Sequence, residues 1–370
     1  MSIGPWIPVI GVALSAVMAT GCEGIDCRPE SPCYDTDTVS YHRTPVATAS
    51  ELGRFTAWAD AAGMVRGRLG ADEARTIGRG APVALATDGA DHLLLANVGE
   101  ELTAQLVPGG SPVPLGPSAS ARLVFDRDAY MVTWSEAMEG KVLRVGRDGE
   151  PLAGPWTVTG TGRVDGGPRI ATDGLGAVVV WTQADQVVDP QTGAIRILPS
   201  KLHARRVGAD GTLGPDRELG EAAGASIAGD ATGLVVARVT PARDVLVQRL
   251  DQALAPVGPA DVIAKADDLG GWSTVELTGT PERYVVQYGK TSPSGLAAQL
   301  RVRMFDGGLG IQQPLGTGQD LAVVFADGAA HALWIEHWYD RVSDDLELEH
   351  LDLKYSEIKR DTHTQPQAIE

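Results

Sequence analysis

The residues best suited to contact a ligand lie together near the end of the chain, in the segment EHWYDRVSDD at 336–345. The segment contains His337, Trp338, Tyr339, Asp340 and Arg341 in succession. Two adjacent aromatic rings beside a guanidinium and carboxylates can stack on a sugar or hold a peptide. We therefore predict a binding loop here. The alternative is that the two aromatic rings pack beneath the loop and serve only its structure.

The sequence lacks the common catalytic and metal-binding patterns. His331 and His337 are six residues apart, which on a strand separates them by about 20 Å, too far to share a metal ion. Four other polar candidates occupy strand or turn sequences and are interpreted as structural: Asp88, Asp173, His203 and Asp327. Calcium loops, H-E-x-x-H, G-x-S-x-G and phosphate-binding glycine motifs are all missing. We predict no catalytic residues, no metal and no cofactor.

The composition is acidic, with 48 Asp and Glu residues against 31 Lys and Arg residues and a formal net charge of −17. Nucleic-acid binders need a basic surface that replaces the counterions of phosphates, so nucleic acid is excluded as a partner. Broad electrostatic adhesion to anionic lipid is disfavoured for the same reason. The charge promotes solubility and favours cationic partners or divalent ions, and we expect a monomer.

The N-terminus has the features of an export signal. Residues 1–21 carry no charged side chain, and the apolar run from Ile7 to Ala19 is too short to span a bilayer but fits a signal-peptide core. The run ends in Ala19-Thr20-Gly21-Cys22, which resembles the lipobox of bacterial lipoproteins. The resemblance implies that Cys22 is lipidated and becomes the new N-terminus. An ordinary secretory signal is the alternative, and both readings imply export.

Two further cysteines, Cys27 and Cys33, follow in a polar, acidic segment, and the rest of the chain has none. Their short separation permits a local disulfide in an oxidising compartment, whereas a cysteine metal site would lack its remaining ligands. A catalytic cysteine in the body of the protein is excluded. Residues 22–43 are interpreted as a tether between the membrane and a folded domain, and they include a possible closing strand.

Between Pro45 and Tyr355 the chain repeats one pattern seven times. Each repeat has a short first strand, a very apolar second strand, an alternating third strand and a short fourth strand. One position of the second strand recurs about every 46 residues. It holds Trp58, Ala96, Trp134, Trp181, Ala237, Gln287 and Trp334. Four strands per repeat without helical periodicity predict an all-β, seven-bladed β-propeller over residues 44–358.

The apolar second strands indicate burial on both faces. In Ala177-Val178-Val179-Val180-Trp181 every side chain is apolar, as expected of a strand packed between two neighbours. The recurring tryptophans Trp58, Trp134, Trp181 and Trp334 are therefore predicted to be packing positions between blades. The third strands are predicted to end in hairpin turns, where positive φ angles favour Asp-Gly and Gly-Gly. These turns contain Asp72, Gly109, Asp148, Asp210, Asp251, Asp306 and Asp352.

The repeats resemble those of secreted bacterial β-propeller lipoproteins, in which a V-V-W strand, an A-R-V strand and a D-G turn follow one another. The corresponding segments are Val179-Val180-Trp181, Ala204-Arg205-Arg206-Val207 and Asp210-Gly211. The resemblance extends over residues 45–357 and is clearest in the third and fourth repeats. It implies an exported propeller.

Three repeats contain extra residues between the second and third strands. The recurring position and the following turn are 13 or 14 residues apart in repeats one, two, three and five, but 29, 19 and 18 residues apart in repeats four, six and seven. The insertions are at 183–200, 289–299 and 336–345. In a propeller these loops project from one face, so we predict that this face binds a ligand.

The two ends of the repeat region bear on how the ring closes. Residues 38–43 (TVSYHR) have strand propensity and are predicted to supply the outer strand of the seventh blade. Residues 359–370 are predicted to form a polar tail.

Taken together, these features predict an exported, lipid-anchored propeller that binds protein or polysaccharide at the cell envelope without catalysis. A propeller-based glycan hydrolase or lyase is the first alternative, and it would need carboxylates, His or Tyr from different blades at the channel mouth. An outer-membrane assembly lipoprotein is the second.

Overall fold

The computed structural model describes residues 43–50, 53–60, 62–70, 72–117, 119–160, 163–164, 167–188, 195–266, 272–291, 298–326, 329–343, 346–358 and 367–368. Regular secondary structure in these residues consists of β-strands. None of the described residues form a helix with the length and apolar character needed to cross a membrane. The predicted signal peptide, the lipid attachment site Cys22 and the predicted Cys27–Cys33 disulfide lie outside the described residues.

The strands form seven antiparallel blades, which confirms the predicted seven-bladed β-propeller. The first blade consists of β1 (Arg43–Ser50), β2 (Gly53–Ala59), β3 (Met64–Leu69) and β4 (Arg75–Arg79). The second consists of β5 (Ala81–Thr87), β6 (His92–Val98), β7 (Glu101–Val107) and β8 (Val113–Pro117). The third consists of β9 (Ala119–Asp126), β10 (Ala129–Glu136), β11 (Glu139–Val145) and β12 (Pro151–Thr157).

The fourth blade has a divided first strand and an inserted hairpin. Its strands are β13 (Arg163–Val164), β14 (Arg169–Thr172), β15 (Ala177–Ala184), β18 (Lys201–Val207) and β19 (Arg217–Glu221), and the hairpin is β16 (Gln186–Val188) with β17 (Ile195–Ile197). The fifth blade consists of β20 (Gly224–Asp230), β21 (Gly233–Val239), β22 (Val245–Leu250) and β23 (Pro256–Ala264).

The sixth and seventh blades share one long strand. The sixth blade consists of β24 (Thr274–Gly279), β25 (Arg283–Thr291), β26 (Ala298–Asp306) and the first part of β27 (Leu309–Ala326). The second part of β27 is the inner strand of the seventh blade, followed by β28 (Ala329–Ser343), β29 (Leu346–Ile358) and β30 (Gln367–Ala368).

The first strands of the blades meet around the centre of the molecule. Each contacts the first strand of the next blade, in the order β1, β5, β9, β14, β20, β24 and β27. The second part of β27 then contacts β1, so the ring of inner strands is closed.

The hydrophobic core lies between blades rather than within them. Six buried clusters each combine residues of two consecutive blades, from the first and second to the sixth and seventh. On β10, Tyr130 and Val132 pack toward the second blade whereas Met131 packs toward the fourth. This alternation follows from the two-residue period of a strand and explains why the second strands are apolar on both faces.

The recurring position of the second strand is buried in all seven blades, with relative exposures from 0% to 7%. Trp134, Trp181 and Trp334 each pack against the preceding blade. Ala237, by contrast, packs in the cluster shared with the following blade. Because adjacent residues point to opposite faces, the residue equivalent to tryptophan in the fifth blade is Arg238, one position later. The same shift makes Tyr288 the equivalent residue in the sixth blade.

Aspartates build the turns after the third strands. In the fourth blade the Asp210 carboxylate accepts a hydrogen bond from the Thr212 backbone N–H at 2.9 Å, and Gly211 follows with φ +83°. Asp148 accepts an equivalent bond from Glu150 N–H in the third blade. The prediction was wrong for Asp352, which lies inside β29 and pairs with Glu336. The hairpin of the seventh blade is long enough to pass through the predicted turn.

The two ends of the propeller region differ from the strands and the tail that the sequence predicts. Arg43, the last residue of the predicted closing strand, lies in β1 and pairs with Ala59 of the first blade. Residues 38–42 lie outside the described part of the chain. Within the predicted polar tail, Gln367 and Ala368 pair with Tyr355 and Lys354, so β30 contributes to the outer edge of the seventh blade.

Candidate functional site

One face of the propeller bears the connections between second and third strands. In the fourth blade the connection forms the β16–β17 hairpin. In the seventh blade it is the far end of the β28–β29 hairpin, which extends to Ser343 and Leu346. The predicted binding residues His337, Trp338, Tyr339, Asp340 and Arg341 thus lie in strand β28, paired with residues 347–351, rather than in a loop. Their proposed role in binding stays a prediction.

A cavity of about 370 Å³ opens on this same face, between the fourth, fifth and sixth blades. It is lined by residues at the starts of the first strands and near the end of β15. The residues near the starts of the first strands include Gly167, Gly224 and Thr274, and those near the end of β15 are Trp181 and Thr182. The fourth blade opens the space because its first strand is split into β13 and β14, and because the facing residues are small.

Arg169 and Glu276 line the cavity and belong to a cluster of polar side chains that also includes Arg122 and Ser226, which do not line it. Oε1 of Glu276 accepts hydrogen bonds from Arg122 Nη2 at 3.0 Å and from Arg169 Nε at 2.8 Å. Arg169 Nη2 lies 2.6 Å from the same oxygen. Oε2 of Glu276 accepts a bond from the Ser226 hydroxyl at 2.9 Å. The cluster therefore joins side chains of the third, fourth, fifth and sixth blades.

The four residues occupy one equivalent position in their blades. Arg122 pairs with Thr133, Arg169 with Val180, Ser226 with Ala237 and Glu276 with Gln287, each directly before the residue that occupies or replaces the tryptophan position. The corresponding inner-strand residues of the first and seventh blades, Val46 and Ala322, are apolar. One side of the channel is thus polar and the other apolar.

The cluster keeps Glu276 ionised. Burial opposes ionisation, but the positive charges of Arg169 and Arg122 and their hydrogen bonds outweigh it and lower the pKa of Glu276 to about 2. Burial also lowers the pKa of Arg122, against the opposing effect of the Glu276 carboxylate. The side chains of Glu276 and Arg122 retain 29% and 34% exposure, so the cluster faces accessible space.

The charge state of Glu276 determines which proton transfers it can take part in. Glycosidases use two carboxylates, one of them protonated, separated by about 5–10 Å. Glu276 is the single carboxylate among the described residues lining the cavity, and its lowered pKa prevents it from donating a proton near neutral pH. In the described part of the chain, no group of three His, Cys, Asp or Glu residues is placed to hold a metal ion.

The other polar residues considered from sequence have structural partners. Asp173 forms an ion pair with Arg206 at 2.5 Å and accepts the Leu175 N–H. Asp88 accepts bonds from the N–H groups of Ala90 and Asp91.

Two histidines are likewise held by neighbouring groups. His203 stacks on Trp181 and contacts Asp216 at 3.0 Å, whereas His331 is buried with Nε2 3.2 Å from the Ala326 carbonyl oxygen. Asp327 lies outside the described residues.

Sequence reasoning missed the central cluster, although a signal was present. The repeats begin Ala121-Arg122, Pro168-Arg169 and Ala225-Ser226, so three polar residues share one position of an otherwise apolar strand. Glu276 lies one residue beyond Ser273-Thr274-Val275, and the shifted register of the sixth blade obscured its equivalence.

The fold and the site define a seven-bladed β-propeller with a polar cavity at one mouth of its channel. No protein-family model matches the sequence, and no curated protein matches it. Among solved structures the chain is similar to prolyl endopeptidases, with a TM-score of 0.51 and 13% identity over 85% of this chain and 50% of that chain.

Two further structures are similar at lower scores. Hsv2 from Kluyveromyces lactis has a TM-score of 0.48 with 8% identity, covering 86% of this chain and 99% of that chain. Acylaminoacyl peptidase from Pyrococcus horikoshii has a TM-score of 0.46 with 9% identity, covering 85% of this chain and 58% of that chain. The chain spans half the length of the prolyl endopeptidase chain. At 13% identity the likeness to the prolyl endopeptidase shows a shared fold and not a shared activity.

Proposed function

We propose that this protein is an exported, lipid-anchored β-propeller that binds a ligand at the channel mouth without catalysis. The observation that carries the proposal is the cavity between the fourth, fifth and sixth blades, whose one described carboxylate is held ionised by two arginines. A concave site with a few convergent polar groups is typical of ligand binding, and the paired carboxylate argues against acid–base hydrolysis.

The position of the cavity supports the same function. It opens on the face that also bears the β16–β17 hairpin and the far end of the β28–β29 hairpin. Extended connections confined to one face of a repeat protein often form its binding surface. A protein or polysaccharide that covers this face would therefore reach the cavity with one of its groups.

A bulky residue at the cavity wall should abolish binding without unfolding the protein. Thr274 lines the cavity and is exposed, so Thr274→Trp is expected to fill the space and leave the hydrophobic core intact. The full-length protein in detergent would be screened on arrays of glycans and envelope proteins. Ala253→Trp, in an exposed turn on the opposite face, is the matched control.

The screen decides between a binding protein and an enzyme. We expect a ligand that binds the wild-type protein and Ala253→Trp but is lost, by at least about tenfold in affinity, with Thr274→Trp. Equal binding by Thr274→Trp would exclude the cavity as the site. A hydrolysed glycan on the array would show that the protein is an enzyme.

The lipid anchor is a separate part of the proposal and rests on Ala19-Thr20-Gly21-Cys22. Cys22→Ser is expected to move the protein from the detergent phase to the aqueous phase on Triton X-114 partitioning, because acyl chains supply the membrane affinity. Cys27→Ser is the control and should stay in the detergent phase. Detergent-phase recovery of Cys22→Ser would contradict lipidation at this residue.

A further inference from the structure

We propose that Arg169, which lines the cavity, and the adjacent Arg122, which shares the Glu276 carboxylate with it, recognise a carboxylate group of the ligand. The inference rests on the proposed binding function and specifies the chemistry of the group that is bound. It is carried by the charge balance of the cluster, by the hydrogen-bonding capacity that the guanidinium groups retain, and by the size of the cavity.

The charged cluster has more positive than negative charge. Two guanidinium groups share one carboxylate, so among the described residues the cluster carries one uncompensated positive charge. A positive charge that is partly removed from water is stabilised when an anion neutralises it. Both oxygens of Glu276 already accept hydrogen bonds, one from the two arginines and the other from the Ser226 hydroxyl.

The arginines keep donors for a ligand. A guanidinium has five N–H groups, and Arg122 uses Nη2 for Glu276 and Nη1 for the Ala121 carbonyl oxygen. Arg169 uses Nε and Nη2 for Glu276 and Nη1 for the Gly167 carbonyl oxygen. Roughly half of the donors in the pair therefore stay unused. Because these bonds fix both planes, the remaining N–H groups are oriented before any ligand arrives.

The size and charge of the site favour a carboxylate over a larger or more highly charged anion. A single negative charge would match the single excess positive charge, whereas a dianionic phosphate would leave net negative charge in a protein of formal charge −17. The cavity of about 370 Å³ is at the lower end of the range for small-molecule sites. It suits one sugar ring or one amino-acid residue, and its walls include Gly224, Ala225 and Thr274.

Calorimetric titration of the full-length protein in detergent would test this inference with paired probes. D-glucuronate is compared with D-glucose, and N-acetylglycine with N-acetylglycinamide, each at up to about 10 mM because weak single-site ligands have millimolar Kd values. We expect at least one carboxylate to bind while its neutral partner does not. The sugar pair and the amino-acid pair distinguish an acidic polysaccharide from a peptide chain end as the source of the carboxylate.

Substitution of Arg122 separates recognition from folding. Arg122→Gln removes the excess charge but leaves the Arg169–Glu276 pair, and it is expected to raise Kd at least about tenfold. Arg122→Lys, which keeps the charge without the planar fork, should recover part of that loss. Arg144→Gln, in the same blade but paired with exposed Asp128, should bind like the wild-type protein. Thermal melts would establish that all three variants fold.

Three results would overturn the inference: no binding of either carboxylate by the wild-type protein, equal binding of the neutral partners, or unchanged affinity in Arg122→Gln. The proposed binding function has an independent readout. Loss of an array ligand with Thr274→Trp but not with Arg122→Gln would show that the cavity binds a ligand. In that case only the inferred recognition of a carboxylate would be wrong.

Discussion

At the scale of single residues, Glu276 is the residue through which the four blades of the central cluster are joined. Its two oxygens contact side chains from three other blades, and the Leu277 N–H donates to the Ser226 hydroxyl that completes the cluster. Neighbouring blades also meet through apolar clusters and through single polar contacts, such as the hydrogen bond from Arg205 to the Val158 carbonyl oxygen. Arg122 and Glu276 belong to the third and sixth blades, so this ion pair joins blades that are not neighbours.

Neutralising Glu276 should destabilise the protein. Glu276→Gln leaves Arg122 and Arg169 close together without their shared counter-ion, and we expect a loss of about 2–4 kcal/mol in the free energy of unfolding, since breaking a largely buried ion pair is strongly unfavourable. Chemical denaturation at pH 7 would measure the loss. Glu139→Gln breaks the exposed pair with Lys141 and should leave the free energy of unfolding nearly unchanged.

The same substitution should change the response to acid. The pKa of Glu276 is lowered to about 2 from an ordinary value of 4.5, so its contribution to stability is complete above pH 4.5 and is lost as the pH falls toward 2. Between pH 5 and pH 3 the wild-type protein should therefore lose more stability than Glu276→Gln. Equal slopes for the two proteins would show that Glu276 is not selectively stabilised as an anion.

At the scale of strands, the repeat pattern predicts the architecture because burial between blades constrains it. The second strands need apolar side chains on both faces, and that requirement is visible in segments such as Ala177–Ala184. The register of the second strands from one blade to the next is harder to recognise in the sequence. Arg238 and Tyr288 fill in the fifth and sixth blades the position that Trp181 fills in the fourth, and residues so different in chemistry obscure the alignment.

The inserted segment of the seventh blade shows why a loop is difficult to predict from sequence. The segment at 336–345 is polar and aromatic, which is compatible with a loop, but cross-strand pairing with 346–352 continues β28 and β29 outward instead. The central cluster was harder to predict. Its successive members are 47 to 57 residues apart along the chain, and their contact depends on how four blades are arranged around the channel. Spacing within one repeat carries no information about that contact.

At the scale of the whole molecule, contact between the last blade and the first closes a propeller and leaves only short, protected edges. Contacts of β1 with β27 and β28 close the ring on the inner side. In the described residues, the outer edge of the seventh blade includes β30, which pairs with β29 at Lys354 and Tyr355.

The closing strand predicted at residues 38–43 stays a prediction for residues 38–42, because Arg43 lies in β1. They directly precede β1, so a strand there would tie the start of the chain to its end. Deleting 38–42 is expected to lower Tm by about 5 °C or more, whereas deleting 367–370 removes two paired residues and should lower Tm by less than about 2 °C. Thermal unfolding followed by circular dichroism would measure both. A larger effect from deleting 367–370 would assign closure to the C-terminal strand, because the ring would then depend on β30 rather than on the segment before β1.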